Sequence, residues 1–85
     1  MPEISRFYGI VVRMFYNDHN PPHIHIEYQD YDAKVELENG VIKGEMPRRA
    51  LKLIYEWIDL HKEELLEDWK LAMQFKQLNK IEPLK

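Results

Sequence analysis

The chain has 85 residues, a net charge of -3, 45% hydrophobic and 12% aromatic residues, and no cysteine. This argues for one small folded domain burying roughly 60–65% of its unfolded surface, and against disorder; it also excludes disulfides and thiolate metal sites and fits a reducing cytoplasm. No signal peptide is recognisable, no apolar run nears the roughly 20 residues that span a bilayer, and the acidic balance disfavours sequence-blind coating of nucleic acid while leaving a local basic site open.

Met1 to Ser5 reads as a short lead-in. Arg6 to Tyr16 (R-F-Y-G-I-V-V-R-M-F-Y) is dense in β-branched and aromatic residues and predicts one long first strand, apolar on both faces. Gly9 within it marks a bulge or a close backbone approach. Asn17 to Pro22, with its Asn, Asp and two prolines, predicts a turn. A second strand over 23–29 follows, antiparallel to the first. Its two-residue period sets His23, His25 and Glu27 on one face and Ile24, Ile26 and Tyr28 on the other. Asp30-Tyr31-Asp32 is a tight connection to a third strand over 33–38, with Ala33, Val35 and Leu37 facing in and Lys34, Glu36 and Glu38 facing out. Asn39-Gly40 is a strong hairpin signal, because both positions tolerate positive φ, and it returns a short edge strand over 41–45.

Pro47 is suited to a first helical position, so a helix should begin there. Leu51, Ile54, Tyr55 and Ile58, flanked by Trp57, make one apolar stripe; Leu65, Leu66, Trp69, Ala72 and Met73 make a second. One unbroken helix over 47–76 would be about 45 Å long, too long for a domain whose radius of gyration should be about 12 Å. A break between Asp59 and Lys62 therefore divides it into helices over 47–60 and 62–76, leaving 79–85 as a frayed or docking tail. Trp57 and Trp69 belong to the core, and Glu63, Glu64, Glu67 and Asp68 form a wet helix face or a docking surface for a basic partner. The expected architecture is α+β: a three- to four-stranded antiparallel sheet followed by two C-terminal helices packed on one face, the face with His23, His25 and Glu27 staying open.

Several blocks together carry a resemblance: I-S-R-F-Y-G-I at 4–10, N-D-H-N-P-P-H-I-H at 17–25, P-R-R-A-L at 47–51, and E-W…L-H-K-E-E-L-L-E-D-W. In this ordered set the chain resembles a small bacterial family known as domain of unknown function 4160. The resemblance implies no established activity. It implies a context, in which members are stand-alone proteins encoded beside a second small protein, as in a toxin–antitoxin pair.

The chemistry concentrates in Asn17–Tyr28, where three of the four histidines, His19, His23 and His25, fall within seven positions. His-x-His on a strand sends two imidazoles from one face, and Glu27 (or His19) would complete a three-ligand set for a divalent metal, with Asp18 as a supporting acid. Two histidines of near-neutral pKa can also share acid and base roles in metal-free RNA cleavage. In that reading Arg6, Arg13, Arg48 or Arg49 would hold the phosphate and Tyr8, Tyr16 or Tyr28 would stack a base. A plainer reading has the histidines bonding carbonyls and Asp18 to fix the turn. Arg48-Arg49 can likewise be a solvated first turn, and His61 a helix-end residue. Two function classes stay open: a partner-binding subunit of a two-protein module, engaging the neighbouring gene's product or a second copy, and a small ribonuclease-like or metal-dependent toxin.

Overall fold

The structure, a computed structural model, describes residues 3–85. Five strands run in chain order as one antiparallel sheet: β1 (Glu3–Phe7), β2 (Ile10–Arg13), β3 (His23–Tyr28), β4 (Tyr31–Glu36) and β5 (Ile42–Gly44), followed by helix α1 (Arg48–Met73). The α+β class holds, with five strands and one helix in place of three to four strands and two helices. Of the expected lead-in, residues 1–2 lie outside the described residues, and Glu3 to Ser5 are already strand.

The long first strand expected over 6–16 is a hairpin instead. Tyr8 (φ 51) and Gly9 (φ 82) form its two-residue turn, and Phe7 pairs with Ile10. Strand alternation alone would put Phe7 and Ile10 on opposite faces; the reversal turns both into the core, which explains a stretch that looked apolar on both sides. Glycine adopts this backbone freely, whereas a tyrosine there costs about 1 kcal/mol. The Tyr28 ring lies 3.5 Å from where a side chain on Gly9 would begin. After Arg13 the chain leaves the sheet until His23.

The remaining strands sit close to their expected places. A turn at Gln29–Asp30, with Gln29 at φ 53, pairs Tyr28 with Tyr31, so β4 begins earlier than residue 33. The Asn39–Gly40 reversal is present: Gly40 has φ 73, its N–H donates to the Glu36 carbonyl, and the Asn39 side chain accepts the Val41 N–H at 2.9 Å. The loop is longer than a two-residue turn, so β5 starts only at Ile42.

One core lies between sheet and helix. Ile10, Val12, Ile24, Ile26 and Val35 meet Ala50, Ile54, Trp57, Ile58, Leu65, Trp69 and Ala72, all buried. Trp57 stands with its ring centroid 5.3 Å from that of Phe7. A straight helix of 26 residues would span about 39 Å, longer than the 33 Å of the whole molecule. The helix bends accordingly at His61, whose backbone (φ -124, ψ 23) is not helical and whose Nδ1 lies 2.7 Å from Glu64. Because helix resumes without an intervening loop, the expected pair of helices is one kinked helix.

The tail is docked. Ile81 N–H donates to the Ile4 carbonyl at 2.8 Å, and Trp57 Nε1–H donates to the Glu82 carbonyl at 2.8 Å. Ile81 and Leu84 are buried against the core.

Asp68 is not on the wet helix face: it is fully buried, one oxygen accepting the Asn79 N–H at 2.9 Å and the other without a partner among the described residues. Burial, reinforced by the nearby charges of Glu64 and Glu67 and only partly opposed by the Asn79 bond, pushes its carboxyl above the usual range. A raised folded-state pKa stabilises the protonated fold, so this residue's penalty grows as pH rises from the unfolded value, near 4, through the folded one. We predict that Asp68→Asn, which keeps the acceptor for Asn79, is more stable than wild type at pH 7 and that the gap closes toward pH 4. Urea unfolding across that range checks it; a gap independent of pH would refute the assignment.

Candidate functional site

The site is assembled by the connection between β2 and β3, which is tied down at both ends. Asn17 N–H donates to the Ala72 carbonyl at 3.1 Å near the end of α1, and Leu37 N–H donates to the Pro22 carbonyl at 2.9 Å beyond β4. The Asn20–Pro21 peptide within it is cis. This loop swings Asp18 back over the start of β3, and its carboxylate meets the histidine row. Asp18 Oδ2 lies 2.8 Å from His23 Nε2 and 3.2 Å from His25 Nε2. Asp18 Oδ1 accepts the His19 backbone N–H at 2.9 Å.

His23 is buried, with 4% of its surface exposed, although the face it leads from was expected to be open. The reason is the loop on one side and Trp69, with ring centroids 5.2 Å apart, on the other. His23 Nδ1 lies 2.8 Å from the Pro21 carbonyl, which can only accept, so this nitrogen carries the hydrogen and Nε2 is the atom aimed at Asp18. His25 is half-buried, its ring edge-on to Phe15 at 4.2 Å.

Electrostatics bind the cluster together. Burial pulls the Asp18 carboxyl upward, but hydrogen bonds from His25 and the His19 amide, with the charge of His23, outweigh it and hold the group below its ordinary value. His25 is lowered, first by burial and then by the positive charges of His23 and Lys34, against the opposing bond to Asp18.

The donor atoms of Asp18, His23 and His25 all lie within 4.8 Å of one another. Ligands around a zinc-class ion at about 2.0–2.1 Å are separated by about 3.0–3.4 Å, so the Asp18–His25 edge at 3.2 Å already has the required length and the Asp18–His23 edge at 2.8 Å needs to open slightly. The carboxylate that joins the two imidazoles is thus that of Asp18, while Glu27 accepts from Arg13 Nε at 3.0 Å on the next row of the sheet. His19 stays at the rim, largely exposed, with its Nδ1 3.3 Å from Asp18.

The other residues singled out in the sequence scatter. Arg13 pairs directly with His25 across β2 and β3 and stands beside the cluster. Arg6 is bound to Glu3 at 2.8 Å on β1. Tyr8 is exposed at the β1–β2 turn, and Arg49 donates to the Tyr28 hydroxyl at 3.3 Å. Tyr28 ends β3, about 17 Å from His23 at its start, so Arg48, Arg49 and Tyr8 belong to the opposite end of the sheet. Tyr16 stacks on Phe75. Sequence reasoning passed over Lys34 and Lys43, which line the clefts beside His23 and His25. The signal for Lys34 was its place among the outward residues of its strand, but only the strand register puts it next to His25.

Neither the curated proteins nor the solved structures give a match to this chain. A family model does match, over residues 9–70, which takes in the whole histidine segment, the sheet from β2 onward and most of the helix. The chain belongs to the family described as domain of unknown function DUF4160.

Proposed function

We propose that the protein is a metal-dependent catalyst of the hydrolytic class, with Asp18, His23 and His25 holding one divalent ion and the ion's remaining positions turned to substrate. The observation behind this reading is the convergence of Asp18 Oδ2 with two imidazole Nε2 atoms, while His23 Nδ1 is fixed on a backbone carbonyl. A ring held in that way offers a single nitrogen as ligand, the usual arrangement of a metal-bound histidine. Two nitrogens and one oxygen suit zinc or iron(II) better than magnesium or calcium. Such an ion supplies a bound water that ionises near neutral pH.

Metal-free acid–base cleavage draws less support. His23 has both ring nitrogens engaged and is buried, so it offers nothing to a substrate, and His25 keeps only Nδ1. Zinc titration by calorimetry tests the metal reading: wild type should take up one equivalent, and His25→Ala should bind at least about a hundredfold more weakly while keeping its circular dichroism. Absence of uptake by wild type would leave a His23–Asp18 hydrogen bond that merely pins the turn.

A second reading is favoured by the sheet face bearing Arg13, Glu27, Lys34 and Lys43. Among the described residues no element covers it, and it holds a groove of about 430 Å³. In this reading the protein is the partner-binding subunit of a two-protein, toxin–antitoxin-like module of the bacterial cytoplasm, and the groove receives the product of the neighbouring gene. Co-expression should then give a complex that survives purification and that Lys34→Glu weakens. The catalytic reading instead predicts growth arrest on induction of wild type and none with His23→Ala/His25→Ala.

A further inference from the structure

Strand register sets a lateral row of basic side chains across the open face. Arg13 pairs with His25, His25 with Lys34, and Lys34 with Lys43, so one cationic row crosses β2, β3, β4 and β5. The row on one side ends in Glu36, opposite His23, and the row on the other holds Glu27 opposite Asp32. Like charges directly opposite one another weaken a sheet. Lys34 and Lys43 nevertheless form no ion pair among the described residues, although Glu36 lines the same cleft. Lys34 and Lys43 also line the groove that reaches His25 and Phe15. Two ammonium groups with no ion pair among the described residues, on strands about 4.8 Å apart, therefore lead away from the carboxylate–imidazole cluster.

Resting on the metal reading above, we infer that the substrate is a phosphate ester, one oxygen on the ion and the remaining charge held by Lys34 and Lys43. Lysines act on phosphate as point charges, and an ion at Asp18–His25 would supply the third positive centre around one tetrahedral group. Glu36 on one side and Glu27 with Asp32 on the other flank the cationic row, so the ligand lies across the strands. A carboxylate peptide, with one charge per group, uses this row less well than a phosphoryl oxygen set does.

The test uses the zinc-loaded chain, with phenyl phosphate as a monoester and a dinucleoside phosphate as a diester, bound by calorimetry. Lys34→Gln/Lys43→Gln should lose at least about tenfold in affinity for whichever ester binds, with zinc affinity within about threefold of wild type. Binding of the monoester alone or of the diester as well identifies the source of the phosphate, and either supports the inference. Zinc uptake with ester affinity unchanged in the double variant, or with neither ester bound, overturns it and leaves the metal site standing. Failure of wild type to take up zinc overturns the metal reading and this inference with it.

Discussion

Asp18→Ala should unfold about 3 kcal/mol more easily than wild type in metal-free buffer and lose measurable zinc binding. The substitution removes the acceptor of His23 Nε2, His25 Nε2 and the His19 amide in one step. His23 cannot turn to water for a replacement, because Trp69 and the loop enclose it. Removing one partner of a buried pair leaves the other uncompensated, which costs about 3–5 kcal/mol. The lower end applies here, since Asp18 retains some access to solvent. Urea unfolding measures the loss, and a change below about 1 kcal/mol would show that the carboxylate does not bridge the two rings.

Trp57→Ala should destabilise the fold by about 3–5 kcal/mol. Trp57 is wholly buried, touches Phe7 and His61, and through Nε1–H holds the Glu82 carbonyl at 2.8 Å. Truncating such a side chain costs about 3–5 kcal/mol, against a total stability of about 4–13 kcal/mol for a chain of this size. Trp57→Phe keeps most of the packing and removes the tail's anchor, so it should cost about half as much and expose the C-terminal residues to protease first. Equal loss in the two variants would mean that the ring's volume is unimportant. Circular dichroism and limited proteolysis separate these outcomes.

The strand carrying His23, His25 and Glu27 was legible from two-residue alternation, because Ile24 and Ile26 leave one parity apolar and the other polar. The helix stripe around Ile54 and Ile58 was legible for the corresponding reason, and the length limit on an unbroken helix located its bend between Asp59 and Lys62. Two things were not legible. The Tyr8–Gly9 reversal lacks the Asn-Gly or Asp-Gly pair that marks a tight hairpin, and its flanks continue the strand composition without a pause. The role of Asp18 depends on how a loop with two prolines folds over the strand, a three-dimensional fact that spacing does not encode. The cationic row was hidden by the turn: a connection over 30–32 would have set His25 opposite Leu37, whereas the turn at Gln29–Asp30 sets it opposite Lys34. A displacement of a few residues in one turn thus decides which charges become neighbours.

The bond from Ile81 to Ile4 has an effect on how copies of the chain treat one another. It occupies the outer margin of β1, where peptide groups would otherwise be available to a foreign strand. At the opposite margin β5 is three residues long, carries Lys43 and ends at Gly44, too short to template an addition. A chain shortened by its last nine residues would bare β1 while uncovering Trp57, and such material should polymerise into sheet-rich deposits rather than remain in solution.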